Sequence, residues 1–485
     1  MCRMASGNHR IRTDLGGTVH EPNRGRTVVR LVHLSDLHVI DVASPARAEW
    51  VELLGDDPKW RPLLHMHRPY EAVTHWALSA HVEAIHRDPT APWTGGAYDL
   101  ALSTGDNIDN AQRNELDAYL AIMAGGQAQL RASGGPQDPE GDASVAAPWP
   151  FWCPEPDVDD TWKPLGYPAV EGYFERVDAP VTSPGLGIPW ASLPGNHDVM
   201  RQGTALTNQR LERIAVGSGK SLQRPPGFLP DDPGTMFVDS PERFSCGPMR
   251  PVTSDPDRRA IDMQEWFAAH AAAGAVGDDD EHVRDTGPGC GDKVIDVGGV
   301  RIVVLDTNHP DGDYQGSVGA AQLAWLDERL AAVDAEPGRY AIIASHHGSA
   351  SLDNVRGGRP DRRLGDALLD VVHRHPCAVA WLVGHRHVHR IEPRPGAAGG
   401  FWEISTGSII DWPSQVRAVE VVEHADGSVE IVTTLLDHGA PNGSLAALHH
   451  DVARRFAGSY APAMAGSPGD GTARLVLPVR RTGGR

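Results

Sequence analysis

An α/β fold, a sandwich of two mixed β-sheets flanked by helices and interrupted by long irregular insertions, is what the 485-residue sequence predicts. Three observations carry that expectation. Short apolar runs that end in polar residues recur along the chain, helical patterns alternate with them, and two turn signals near the C-terminal half join further apolar runs as hairpins.

The apolar runs are VVRLVHLSD at 28–36, YDLALSTGD at 98–106, GIPWASLPGNHD at 187–198, RYAIIASHH at 339–347 and AVAWLVGHRH at 378–387. Each reads as a buried strand whose end delivers polar side chains to one rim of a sheet. Helical periodicity falls at 69–87, 319–333 and 361–374. Gly298 and Gly299 separate two strand-like runs within 292–307, and Ala425, Asp426 and Gly427 separate two more. Both places read as hairpins, and together they suggest a second, partly antiparallel sheet.

Two segments break this rhythm and are treated as insertions. Residues 125–186 are rich in Pro, Gly and Trp, while 200–290 are mostly irregular, with one amphipathic helix expected at 258–273. The expected plan is an N-terminal extension over 1–27, one large domain over 28–440, and a tail over 441–485 whose Gly- and Arg-containing end is expected to be disordered.

A formal charge of −20 argues against binding nucleic acid or an anionic membrane surface. It leaves room for a locally positive cleft if cations are bound there. Cys2, Cys153, Cys246, Cys290 and Cys377 form no CxxC pair, so neither a disulfide framework nor a thiolate zinc site is expected. The first residues lack an apolar signal-like core, and no stretch is apolar enough to span a bilayer, which predicts a cytoplasmic protein. The sequence carries no sign of its oligomeric state.

Five separated motifs supply oxygen and imidazole donors: Asp36 and His38 in SDLH, Asp106 in GDNID, Asn196 and His197 in GNHD, His346 in SHHG, and His385 and His387 in GHRH. Any one alone reads as an ordinary loop or a core histidine. Their joint occurrence, each at the end of a predicted strand, points to a pair of divalent ions ~3.5–4 Å apart, bridged by a carboxylate and completed by neutral donors. Asp106 is the natural bridge. Such a site activates a bridging water or hydroxide for attack on phosphorus.

In this order the motifs resemble those of the calcineurin-like metallophosphoesterases. The resemblance covers residues 28–410 apart from the two insertions. The opening SDLHVIDVASPARAEW is similar to an actinobacterial subgroup. The resemblance implies a metallophosphoesterase-type sandwich and a dinuclear hydrolase of phosphomonoesters or phosphodiesters, with a small phosphate ester as substrate. It implies that Asp36, His38, Asp106 and His387 hold a first metal, and that Asp106, Asn196, His346 and His385 hold a second. His346 is preferred to His347 because the family's ligand directly follows the strand. Manganese, iron and zinc all suit these donors. The resemblance further gives His197 the task of contacting phosphate or protonating the leaving oxygen, and Asp109 that of orienting it. A competing role for Asp109 is to cap a helix starting near Asn110. Asn110 stands where the related protein phosphatases have Arg, and Asp109 where purple acid phosphatases have a tyrosine ligand, so neither subgroup is expected.

His65, His67, His75, His81 and His86 do not converge on one helical face and read as solvated or core histidines. Trp149, Trp152 and Trp162 suit either a lid over the metals or a satellite core. Asp411 and Trp412, just past a strand ending near the metal rim, are candidate substrate contacts. Against the hydrolase stand two rivals, a non-catalytic interaction module on the same fold and a nuclease. Every ligand position is filled by a competent residue, and no basic stripe is present.

Overall fold

The computed structural model describes residues 9–22, 25–140, 147–277 and 291–479. Thirteen strands build two main sheets. The first contains β1 (Arg10–Arg12), β2 (Arg26–Leu34), β3 (Leu100–Ser103), β4 (Trp190–Ser192), β11 (Val416–Glu423), β12 (Val429–Leu436) and β13 (Ala473–Leu477), in the order β1-β13-β12-β11-β2-β3-β4. The second contains β5 (Lys293–Val297), β6 (Val300–Leu305), β7 (Tyr340–Ser345), β8 (Ala378–Val383), β9 (Arg390–Arg394) and β10 (Phe401–Ser405), in the order β9-β10-β8-β7-β6-β5.

Both sheets are mixed. Parallel pairing joins β2, β3 and β4 in one sheet and β6, β7, β8 and β10 in the other. Hairpins then add antiparallel edges: β5 pairs β6 across Gly298 and Gly299, and β11 pairs β12 across 424–428. The two hairpins do not form one sheet as the sequence suggested; each belongs to a different sheet, because β11 pairs β2 while β6 pairs β7.

The period-two alternation of side chains explains the layering. In β6 and β7, Ile302, Val304, Ile342 and Ala344 face the first sheet, while Val303, Leu305, Ala341 and Ile343 face outward. There they meet α4 (Ala320–Asp334) and α5 (Gly365–Val372). The outer face of the first sheet is covered by α1 (Thr74–Arg87), α2 (Arg113–Ala124) and α3 (Met263–Ala272). The result is a helix–sheet–sheet–helix sandwich in which every motif-bearing strand ends on one rim.

The chain ends join this scaffold. β1 and β13, placed by the sequence in the extension and the tail, are edge strands of the first sheet, and α6 (Leu445–Ala457) packs beside α1. Disorder was expected for the very end, of which 480–485 lie outside the described residues.

The insertions are more ordered than composition implies. Besides α3, the second holds helical segments Gln209–Ala215 and Pro233–Asp239 and a two-stranded antiparallel ladder of Gly219–Ser221 with Met249–Pro251. Its Phe228, Phe237 and Phe244 pack against Trp50, Trp60, Leu63 and Met66, and so brace residues 40–73. The first insertion buries Trp152 among Ile40, Val42, Tyr70, Tyr167 and Tyr173, with Trp162 half-buried beside them, and Trp149 with Phe151, Cys153 and Leu222. Of the two roles considered for its tryptophans, the packing is that of satellite cores. Among the described cysteines, Cys153, Cys246 and Cys377 form no disulfide, and Cys2 and Cys290 lie outside the described residues. No helix among the described residues is long and apolar enough to cross a membrane.

Candidate metal centre

Five strand ends bring the motif residues together. Asp36 and His38 follow β2, Asp106 and Asp109 follow β3, and Asn196 and His197 follow β4; His346 follows β7, and His385 and His387 follow β8. Tight loops are needed to do this. Asp36, His38, Asp106, His385 and His387 all take positive φ, between 46° and 68°. That conformation is rare for residues with a Cβ, and Asp and His are among those that tolerate it best. Gly195 is required for a different reason: a Cβ there would sit 2.2 Å from Asp106 Oδ1.

Asp36, His38, Asp106 and His387 offer one donor atom each, all within 4.8 Å of one another. His387 Nε2 lies 3.3 Å from Asp36 Oδ1, and His38 Nε2 lies 3.8 Å from Asp106 Oδ2. His38 Nε2 is buried and has no hydrogen-bond partner. A buried, orphaned imidazole nitrogen facing carboxylates fits a cation between them, so this donor set accepts a divalent ion on its chemistry.

On the other side of Asp106, His346 Nε2 lies 3.2 Å from Asp106 Oδ2 and 2.9 Å from Asn196 Oδ1. The Asn196 amide is oriented by donating from Nδ2 to Gly203 O. His346, His347 and His385 also present ring nitrogens within 4.8 Å of one another. His347, however, is committed elsewhere, with Nδ1 on Thr307 Oγ1 at 2.8 Å and Nε2 on Tyr314 O at 2.9 Å. The geometry therefore favours His346 as donor. His385 Nε2 meets Gln315 Oε1 at 3.0 Å, which leaves Nδ1 as its remaining donor.

Neighbours fix the ring orientations, as is usual around metal ligands. His38 Nδ1 donates to Asp109 Oδ1 (3.0 Å), His387 Nδ1 to Asp411 Oδ2 (2.6 Å) and His346 Nδ1 to Thr104 O (2.8 Å). In all three, Nε2 is left for the cluster. Burial would lower His346 and His387, but the Asp106 carboxylate beside the first and the Asp36 carboxylate beside the second hold them up at about 9.

His197 stands at the edge of this cluster. Its Nδ1 lies 3.0 Å from Asp109 Oδ1, and its backbone N–H donates to Asp106 Oδ1. Burial would lower its pKa, but Asp106 and Asp109 raise it above the ordinary imidazole value. Asn196 and His197 lie not on a strand end but in the helical turn Asn196–Val199. That turn starts at Gly195, whose N–H donates to the Asp198 carboxylate. The same carboxylate accepts from the backbone N–H groups of Asn107 and Ile108, tying the GNHD loop to the GDNID loop.

Asp109 does not cap α2, which begins at Arg113 with Gln112 before it. Its carboxylate is shared by His38, His197 and the fully buried Arg47. Burial opposes its charge, yet Arg47 and then His197 hold it well below the usual carboxylate range. Arg47 also binds Glu49 Oε1 (2.9 Å) and Glu71 Oε2 (2.7 Å), and Lys220 adds a further cation on Glu49. Arg47 lies in the opening SDLHVIDVASPARAEW, where no local pattern marks it for this role.

A cavity of about 510 Å³ opens over the cluster. Its floor includes Asp106, Asn196, His197, His385 and His387, and its wall includes His65, Arg68, Tyr314 and Asp411. Asp411, expected as a substrate contact, reaches the cavity, and its carboxylate accepts from Arg68, Tyr70 and His387. Trp412 does not line the cavity; it packs against the cluster around Tyr70 and Trp152. No described residue of 125–186 lines it either. His65 was read as a bland histidine, yet it forms part of the wall. His67, His75, His81 and His86 lie outside the wall and outside the clusters of metal donors among the described residues.

No family model matches the chain. It is 34% identical over 101 residues to a probable cyclic nucleotide phosphodiesterase of Synechococcus sp. (strain WH7803), covering 20% of this chain and 36% of that protein. It is 39% identical over 97 residues to a cAMP/cGMP dual specificity phosphodiesterase of Mycobacterium tuberculosis (strain CDC 1551 / Oshkosh), covering 20% of this chain and 29% of that protein. The chain thus spans about a third of the length of the curated relatives it matches. Among solved structures, a dimetal phosphatase from Danio rerio is 12% identical, with a TM-score of 0.39, covering 85% of this chain and 97% of that one. A 5'-nucleotidase from Candida albicans SC5314 is 10% identical, with a TM-score of 0.28, covering 93% of this chain and 60% of that one. The ordered motifs and the donor sets meeting at Asp106 are thus similar to those of the calcineurin-like metallophosphoesterases, and the local matches to two curated phosphodiesterases are consistent with that likeness.

Proposed function

We propose that the chain is a dinuclear metal-dependent hydrolase of small phosphate esters, with residues 28–440 as the body of a catalytic domain that the edge strands β1 and β13 complete. The observation that carries this reading is the pair of donor sets sharing Asp106 on the floor of a cavity, with His197 beside them. Asp36, His38, Asp106 and His387 would hold one ion, and Asp106, Asn196, His346 and His385 would hold the other. When bound, two divalent ions supply Lewis acidity toward phosphoryl oxygens and activate water as the nucleophile. The donor types admit manganese, iron or zinc.

The protein's own groups do the rest. Burial opposes charge on His197, but Asp106 and Asp109 raise its pKa above the ordinary imidazole value, which suits it to give a proton to the leaving oxygen. Asp109 anchors the opposite nitrogen of that ring, and Arg47 keeps Asp109 ionised. The phosphodiesterase names of the two curated relatives favour a diester substrate.

Elemental analysis after loading with Mn²⁺, Fe²⁺ or Zn²⁺ should find two equivalents per chain, and the loaded protein should cleave a chromogenic phosphate ester. Asp106→Asn should lose activity and bind both ions more weakly, because a neutral amide is a poor bridge. Full turnover by that variant would overturn the reading.

A further inference from the structure

The cavity wall holds one cation that neither the motifs nor the metal donors account for. Arg68 is buried, at 9% exposure, and borders the cavity beside His65, His197 and His387. Its guanidinium is fixed on one edge by Asp411, with Nε on Oδ1 at 2.7 Å and Nη2 on Oδ2 at 3.0 Å, and Nη1 donates to His65 O at 3.1 Å.

Holding Asp411 does not by itself require an arginine. That carboxylate also accepts from the Tyr70 hydroxyl and from His387 Nδ1. A guanidinium carries five N–H donors in a rigid plane. Three are used here, which leaves one N–H on Nη1 and one on Nη2 without an acceptor among the described residues. Unused donors on an immobilised buried cation, bordering a cavity whose floor is a metal-donor cluster, suit an anionic oxygen.

We propose that Arg68 donates these N–H groups to a non-bridging oxygen of the substrate's phosphoryl group. The inference rests on the phosphoester reading above and adds to it a residue from the segment 40–73, outside all five motifs. Arg386, exposed at the cavity mouth between His385 and His387, lacks this fixation and is not assigned the role.

The test uses inorganic phosphate as probe and the metal-loaded full chain. Calorimetric phosphate titration should show affinity falling about 10- to 100-fold in Arg68→Met, the range for losing hydrogen bonds to a charged group. Arg68→Lys, which keeps the charge and loses the fork, should fall between wild type and Arg68→Met. Both variants should retain two metal equivalents, and guanidinium ion added to Arg68→Met should restore part of the affinity. Unchanged phosphate affinity overturns the proposal. So does metal loss that parallels the affinity loss, since Arg68 would then act only through Asp411 and His387. If neither variant folds, a phosphate-soaked crystal of metal-loaded wild type decides: Arg68 nitrogens should lie within about 3.2 Å of a phosphate oxygen, and a greater separation overturns the assignment. A wild-type protein that binds two metals yet cleaves no ester tells against the functional reading and leaves the arginine's anion contact to be judged on the phosphate data.

Discussion

The two segments that leave the rim of the first sheet, residues 40–73 and residues 125–186, invert what their compositions advertise. The later one is full of tryptophan and proline and looks like a lid, yet its aromatic rings are consumed in satellite cores away from the cavity. The earlier one also buries tryptophans, Trp50 and Trp60, yet it supplies Arg47 to Asp109 and His65 and Arg68 to the cavity wall. Large apolar side chains in a loop are satisfied by burial anywhere, whereas a buried charge persists only where a partner holds it. Charged residues of a loop are therefore the better guide to its involvement in chemistry.

This contrast can be broken at several points, the deepest being His197, on which the Arg47–Asp109 network converges. His197→Ala should reduce turnover of an alkyl phosphate ester by ~10²–10⁴-fold and that of a nitrophenyl ester much less, because the better leaving group needs little protonation. Metal content should stay at two. Steady-state kinetics on the paired esters with elemental analysis checks both points, and equal losses would shift His197 to phosphoryl contact.

Arg47→Met should come next. It strands Asp109, Glu49 and Glu71 without their shared cation, which for a broken buried ion pair costs roughly 3–5 kcal/mol. Urea denaturation measures the stability, and the surviving folded fraction should show the same leaving-group dependence as His197→Ala, in weaker form. A variant of full stability would make the network ornamental.

Trp152→Ala and Tyr314→Ala form the sharpest pair. The tryptophan sits in a satellite core, so its removal should cost about 3–5 kcal/mol and leave the ranking of ester substrates unchanged. Tyr314 lines the cavity at 36% exposure, so its removal should change the ranking at little cost in stability. Melting temperatures and a substrate panel on both variants would reveal an inverted outcome.

The smallest effect is in pH. His346 and His387 sit at about 9 without metal, above the ordinary imidazole value of about 6.5. A raised folded-state pKa contributes stability that is complete below about 6.5 and lost as pH climbs toward 9. Metal-free protein should thus show a falling Tm across that window. Metal-loaded protein, in which these rings are neutral donors, should not. Thermal melts of both forms from pH 6.5 to 9 check the sign.

The rim was legible because its signal is local. Asp36, His38, Asp106, Asn196, His346, His385 and His387 each sit within four residues of a strand end that apolar periodicity marks, and the structure gathers all seven. The hairpins at Gly298 and around Asp426 were legible for the same reason, but not which sheet each would join, since that depends on pairing with β2 and β7 far away in the chain. Arg68 escaped notice because its partner is Asp411, 343 residues on. Asp411 stands out by its position after a strand, but nothing near it in sequence announces His387 Nδ1 as its neighbour.

The left-handed backbone at five of the seven donors bears on how this site could be re-engineered. Retargeting a metal site usually begins by exchanging one donor type for another, such as thiolate for imidazole to capture softer ions. At Asp36, His38, Asp106, His385 and His387 the replacement must also accept positive φ. Cysteine and glutamate lack the tolerance that Asn, Asp and His have for it, so a swap would distort the loop before it altered ion preference. Asn196 and His346, whose φ is not positive, are the positions where the metal palette can be changed without rebuilding the backbone.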